Sequence, residues 1–153
     1  MKNLSIAATL IVAMFIASCG TSSSTTSTET STAKLSKTLT TLSETNWRLF
    51  SMNAQKANAP DGGQIPTLSF DPRNMTVSGN SGCNTFSGAF TAEKDAVSFG
   101  NLVTTRMSCP DMKMETAFLS ALPNAKNYTI YEGKLVLNDA EGKQLMSFDP
   151  LPK

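Results

Sequence analysis

Short stretches of alternating apolar and polar residues recur along most of the second two-thirds of the chain. Such alternation is typical of antiparallel strands that bury one face and leave the other in water. It predicts short strands at WRLFSM (47–52), TLSF (67–70), MTVSG (75–79), TFSGAFTA (85–92), AVSF (96–99), LVTTRM (102–107), YTIY (128–131), KLVLN (134–138) and KQLMSFD (143–149). The stretch 53–66 has little apolar content, and we expect it to be a mobile loop.

One segment has the period of a helix instead. In SCPDMKMETAFLSALP (108–123), helical spacing relates the apolar residues Met114, Ala117, Phe118, Ala121 and Leu122. Ser108 followed by Asp111 resembles a capping box, and Pro123 is expected to end the helix. The pattern therefore predicts a single α+β, β-rich domain of short strands with one amphipathic helix at about 110–122.

The N-terminus has the order of an export signal. Lys2 precedes an apolar stretch at 4–16 that is too short to span a bilayer. The following run IASC (16–19) resembles the lipobox of bacterial lipoproteins, in which the signal is cut before an acylated cysteine. An ordinary secretory signal is the alternative. We expect a signal peptide at 1–18 and a lipid-modified Cys19, whose acyl chains would hold the protein on a membrane.

Residues 19–43 are mostly Ser and Thr and include no aromatic side chain. They bury too little apolar surface to offset the entropy of ordering, so we expect a disordered tether before a domain at 44–150. A glycosylated stalk is the other interpretation. Gly20 stands where some lipoproteins of the inner membrane carry Asp, and it favours a cell-envelope location at the outer membrane, facing the periplasm.

The charge and the residue types limit the possible functions. The chain has 13 basic and 12 acidic residues, and removal of Lys2 would leave 12 of each. This balance argues against a nucleic-acid partner. There is no histidine, and three cysteines are too few for a Cys₄ site. Histidine-based catalysis and the usual zinc sites are thereby excluded, so we expect no catalytic residues, no metal and no cofactor.

The stretch SGNSGCNTFSGAF (78–90) allows three interpretations. A phosphate-binding loop would need a Gly-Lys-Ser/Thr or G-x-G-x-x-G pattern, which is missing here. A nucleophilic Cys83 has no histidine to activate it, so its thiol would need another source of a lowered pKa. The third interpretation is a turn or bulge, in which Gly82 supplies unusual backbone angles, Asn84 bonds to local backbone, and Gly88 allows a bulge or close packing.

Cys83 and Cys109 are the two cysteines that remain if Cys19 is lipidated in an exported chain. They are predicted to form one disulfide, and a redox-active thiol pair is the alternative. Arg106 lies three residues before Cys109. Its guanidinium is either solvated at a strand end or bound to the glycine turn or to a carboxylate such as Glu115.

Two motifs carry a resemblance to a known family. G-C-N-x-F-x-G at 82–88, and T-R-M-x-C at 105–109 followed by an acidic position, resemble the META domain of HslJ-type bacterial heat-shock lipoproteins. Residue 116, where the family motif has its acid, is Thr, and Glu115 precedes it. The resemblance implies a strongly curved antiparallel sheet or open barrel with a helix against it. It also implies a stress-related envelope protein without established catalysis.

The functions that remain are of different classes. The first is a non-enzymatic envelope lipoprotein that binds a protein partner or a small apolar ligand, with the membrane as its second partner. The second is a structural anchor. The third is a hydrolase or transferase that uses Asp111, Glu115 or Asp139, although these carboxylates are expected to be solvated caps and turns.

Overall fold

The structure is a computed structural model that describes residues 40–151. The predicted signal peptide, Cys19 and most of the predicted tether lie outside these residues. Residues 40–44 are helical, and the side chain of Leu42 is only 2% exposed. The indole N–H of Trp47 donates to the Leu42 carbonyl oxygen at 3.0 Å. The folded region thus includes residues 40–43, which the sequence-based boundary at Glu44 had assigned to the tether.

Strands make up most of the domain. In chain order they are β1 (Asn46–Met52), β2 (Gln55–Lys56), β3 (Thr67–Asp71), β4 (Thr76–Asn80), β5 (Thr85–Glu93), β6 (Ala96–Thr104), β7 (Asn127–Tyr131), β8 (Lys134–Asn138) and β9 (Gln144–Leu151). The predicted strands at 96–99 and 102–107 are wrong as separate elements, because β6 joins the first to the start of the second, with an irregularity between them, and ends at Thr104. The short β2 lies within the stretch that was predicted to be a loop.

All strand pairs are antiparallel, and the sheet curves back on itself. The order is β2-β1-β3-β4-β5-β6-β7-β8-β9, and β1 also pairs with β9. The strands β6 and β7 share the shortest paired stretch in the described sheet, a single pair between Ala96 and Asn127. The result is a curved sheet that is not a regular barrel, and the predicted α+β class is confirmed.

The helix α1 (Lys113–Ala121) begins later than predicted and runs into a 3₁₀ turn at Leu122–Asn124. The predicted capping box is wrong, because Met112 is the N-cap residue and no side chain caps it. Asp111 instead accepts a hydrogen bond from the Lys113 N–H at 3.0 Å. A disulfide joins Cys109 to Cys83. The residues around Cys109 are therefore held near residue 83, and the helix begins only at Lys113.

Aromatic side chains join the helix to the sheet. Phe118 of α1 is fully buried, and its ring centroid lies 5.7 Å from that of Phe86 on β5 and 6.4 Å from that of Phe148 on β9. The helix therefore packs against strands from two parts of the curved sheet. In the described part of the chain, no helix is both long and apolar enough to cross a membrane.

Gly88 lies at the irregularity between β5 and β6. A Cβ atom added there would come within 2.7 Å of the Asn101 carbonyl oxygen. The close packing that the sequence predicted for this glycine is confirmed.

Candidate functional site

A turn at 81–84, which we call the glycine turn after Gly82, connects β4 to β5. Gly82 has a φ angle of 129°, which side chains rarely tolerate. The side-chain oxygen of Asn80 accepts the Gly82 N–H at 2.7 Å, and the Gly82 carbonyl accepts the Gln64 N–H at 2.6 Å. Of the three interpretations of this stretch, the structural turn is the one that the fold contains.

The carboxylate of Glu115, in the first turn of α1, lies against this turn and is only 6% exposed. One of its oxygens accepts the Ser81 hydroxyl at 2.7 Å, the Cys83 N–H at 3.2 Å and the Asn84 N–H at 2.7 Å. The other oxygen accepts the Asn84 side-chain amide at 2.9 Å. Residues 81–84 together with Glu115 form what we call the Glu115 cluster. Four donors thus satisfy a carboxylate that would otherwise be costly to bury.

Asn84 extends the cluster to the chain that leaves β6. Its side-chain oxygen accepts the Thr105 hydroxyl at 2.8 Å and the Met107 N–H at 2.7 Å. Its amide nitrogen donates to the Met107 carbonyl at 3.1 Å as well as to Glu115. The prediction that Asn84 bonds to backbone within its own turn is wrong, because its side chain reaches across to residues more than 20 positions away.

A disulfide joins Cys83 to Cys109, with a Cα–Cα distance of 6.0 Å and a sequence separation of 26. It links the glycine turn to the segment just before α1, as the sequence predicted. Arg106 lies nearby but is exposed, and within residues 40–151 it makes no hydrogen bond or ion pair. The predicted binding of its guanidinium to the turn or to Glu115 is therefore not seen; the backbone of Met107 makes the link to Asn84 instead.

The surroundings of Glu115 determine its ionisation. Burial by itself raises the pKa of this carboxyl group, but hydrogen bonds from Ser81, Asn84 and Cys83 outweigh burial and hold the pKa below its ordinary value. A general acid needs a raised pKa and a free proton path, whereas this carboxylate is ionised and surrounded by its own donors. The arrangement suits a structural role.

The three carboxylates considered for hydrolysis lie in different environments. Asp111 accepts the N–H at the start of α1, and Asp139 accepts the N–H groups of Glu141 and Lys143 at 3.1 and 2.8 Å in the turn before β9. Asp139 thus belongs to a turn, as the sequence predicted, whereas Asp111 bonds to the first helical N–H without forming the predicted capping box. The expectation of a solvated Glu115 is wrong, because the fold buries it. Within the described residues, no group of three or more Cys, Asp or Glu side chains is placed to hold a metal ion.

The pH dependence of folding should report on Glu115. Its folded-state pKa lies below the ordinary value of 4.5, so its stabilising contribution is complete above that value and is lost as the pH falls through the folded-state pKa. Urea unfolding measured between pH 7 and pH 3 should show the midpoint falling below about pH 4.5.

The pH experiment needs a control because a second carboxyl group, that of Asp71, also has a lowered pKa. A hydrogen bond from the Asn74 side chain and one from the Arg73 N–H hold the pKa of Asp71, at the end of β3, below its ordinary value. We expect Glu115→Gln to flatten much of the acid-side fall, because the hydrogen bonds of Glu115 are buried, and Asp71→Asn to flatten it much less, because the hydrogen bonds of Asp71 lie in an exposed turn that water screens. An unchanged slope in Glu115→Gln would contradict the assignment.

A cleft of about 470 Å³ opens between β6 and α1. It is lined by Phe99, Gly100, Asn101, Leu102, Thr104, Leu119 and Pro123. No charged side chain is among these residues. Sequence reasoning did not locate this cleft, since it arises where β6 and β7 separate after a single pair and no local pattern marks that separation.

The edge of β6 that faces the cleft has unpaired backbone. The Thr105 N–H donates to the Thr85 carbonyl on the β5 side. Because the direction of backbone groups alternates along a strand, those of Leu102 and Thr104 point away from β5. Both residues also line the cleft. Within residues 40–151, no strand pairs with β6 on that side beyond Ala96. An open edge of this kind is a template for pairing with another extended segment.

Comparisons with known proteins agree with this architecture. The family model of the META domain matches residues 40–150. An NMR structure of a protein from Burkholderia xenovorans is similar, with a TM-score of 0.58 and 27% identity, over 73% of this chain and 85% of that one. A second NMR structure has a TM-score of 0.53 and 24% identity, over 69% of this chain and 87% of the other, and it supports the fold alone. No curated protein matches this chain.

Proposed function

Since this chain belongs to the META domain family, we propose that it is a non-enzymatic binding protein of the cell envelope, held on the membrane through Cys19. In this proposal the domain receives an extended segment of a partner protein along the open edge of β6. The proposal rests on one observation, the unpaired edge that lines the cleft between β6 and α1.

The cleft suits a polypeptide better than a small apolar ligand. Its lining includes the apolar residues Phe99, Leu102 and Leu119, and two of the lining residues, Leu102 and Thr104, belong to the part of β6 that has no strand partner among the described residues on its β7 side. An added strand would bond to the backbone groups of that part of β6 and place alternate side chains against the apolar wall. A small apolar ligand would leave the same backbone groups without partners from the ligand, so it gains less from this site.

The predicted location is consistent with such a role. A chain of about 20 residues between Cys19 and the first described residue would span roughly 25 Å if it behaves as a flexible coil. The domain would then stay close to the membrane and within reach of other envelope proteins. In this proposal the membrane is the outer membrane, which Gly20 favours. Binding of a partner would then be the basis of the stress-related role that the family resemblance implies. The alternative is a structural anchor without a partner.

The lipid anchor can be tested by the mass of the mature N-terminus. We expect the mature protein to begin at an acylated Cys19 and to fractionate with membranes. Cys19→Ala should leave an uncleaved or unlipidated precursor. A mature N-terminus with a free Cys19 thiol would overturn this part of the proposal.

The binding site can be tested by photo-crosslinking in intact cells. A photoreactive amino acid at Thr104, on the edge that faces the cleft, should give adducts of discrete mass with a protein. The same amino acid at Thr129, an exposed position on β7, is the matched control and should give none. Adducts of equal yield at both positions, or none at Thr104, would contradict a partner at β6 and favour the structural anchor.

A further inference from the structure

A second, smaller opening lies on another part of the sheet. This partly open cavity of about 110 Å³ is lined by Leu42, Ser43, Phe70, Pro72, Met75, Phe90 and Ala92. Its wall is almost entirely apolar, with the rings of Phe70 and Phe90 in edge contact at 5.1 Å. It is distinct from the cleft at β6, and the Glu115 cluster does not contribute to it.

Met75 forms part of the rim of this cavity. Its φ angle of 51° lies in the left-handed region, which is unfavourable for a side chain of this size. Hydrogen bonds from the Arg73 and Asn74 N–H groups to Asp71 hold the turn before it. Met75 nevertheless stays 41% exposed. A large apolar side chain is thus held in a strained conformation beside an apolar opening, which suits a surface that something covers.

The polypeptide enters the described region next to this cavity. Residues 40–44 are helical, and Leu42 and Ser43 are themselves part of the cavity wall. In the sequence, Leu35, Leu39 and Leu42 recur at the i, i+4, i+7 spacing of one helix face. Leu39 precedes Leu42 by three positions in the sequence, so it is the apolar residue before the described region that is nearest to the cavity wall along the chain.

We propose that Leu39 docks its side chain into the cavity beneath Met75, so that the end of the tether is bound by the domain. The size supports this occupant. A cavity of about 150 Å³ accommodates a six-carbon benzene ring, so 110 Å³ corresponds to about four carbons, which is the side chain of one leucine. A lipid tail or an element of a second protein would need more room.

Docking of Leu39 would fix the point where the tether leaves the domain. The tether would emerge beside the turn between β3 and β4, and that end of the sheet would face the membrane. This inference does not depend on a partner at β6, and it holds whether or not the cleft binds one.

The test uses the full mature chain in detergent micelles, with ¹³C-labelled leucine methyl groups. Leu39→Ile identifies the Leu39 signals by their loss. We expect NOEs from the Leu39 methyl groups to ring protons of Phe70 or Phe90. Leu39→Asp should lower the urea midpoint by about 1 M, because a buried leucine is lost at a typical urea dependence of unfolding. Ser31→Asp, in the Ser/Thr-rich stretch, is the matched control and should leave the midpoint unchanged.

Each other outcome counts against the inference. NOEs from Phe70 and Phe90 to detergent chains in place of Leu39 would identify a lipid-type occupant. NOEs that disappear on dilution would identify a second copy of the chain. An absence of NOEs from Leu39 together with equal midpoints for Leu39→Asp and Ser31→Asp would show that the tether is not bound.

Discussion

Glu115→Ala should lower the free energy of unfolding by about 3–5 kcal/mol, the range seen when one partner of a buried charged network is removed. The variant would leave four donors, from Ser81, Cys83 and Asn84, without their acceptor in a buried site. Unsatisfied buried donors are costly, and here they belong to a single turn. Urea unfolding at pH 7 measures the effect.

Two further variants make this prediction specific. Glu115→Gln retains one oxygen acceptor but brings an amide against the Asn84 amide, so its loss should be smaller, about 2–3 kcal/mol. Glu141→Ala removes an exposed carboxylate in a turn and should change the free energy by less than about 0.5 kcal/mol. Equal midpoints for Glu115→Ala and Glu141→Ala would show that the Glu115 cluster does not hold the fold.

Removal of the disulfide is expected to have the next largest effect. For two cysteines separated by 26 positions, the chain-entropy account gives about 3.5 kcal/mol for the cross-link. The double variant Cys83→Ala, Cys109→Ala should lose about this much in urea unfolding. The backbone N–H at position 83 is retained in this variant and can still donate to Glu115. The Glu115 cluster should therefore remain.

Reductant provides the control for the disulfide. Dithiothreitol should lower the midpoint of the natural sequence to near that of the double variant, and it should leave the double variant unchanged. Thiol alkylation of the natural sequence should require the reductant. Rapid alkylation of Cys83 and Cys109 without it would show a pair that is reduced in the native protein.

The strands could be predicted from sequence because their signal is local. Alternation at 128–131 and 134–138 marks β7 and β8 directly, since each strand buries one face. The two predicted strands at 96–99 and 102–107 merged into β6 because an irregularity in pairing shifts the alternation without ending the strand. Strand existence thus follows from the pattern, whereas strand continuity depends on the neighbour.

The site was predictable only in part. The disulfide followed from the small number of cysteines, and the turn followed from its glycines. The burial of Glu115 could not be predicted, because a carboxylate in the first turn of a helix is usually solvated and its four donors come from residues more than 30 positions earlier. The cleft beside β6 depends on where two strands separate, which no single segment encodes. The early start of the fold at Leu42 was hidden by the Ser/Thr-rich composition around it.

The pairing of β1 with β9 brings the two ends of the domain together. Asn46 lies opposite Leu151 at one end of this pair. A domain whose first and last strands are neighbours can be circularly permuted with a short connector, or inserted into a surface loop of another protein with little distortion of the host. The same adjacency means that a reporter fused after β9 would lie near the start of β1, on the side of the domain where residues 40–44 lead into the sheet.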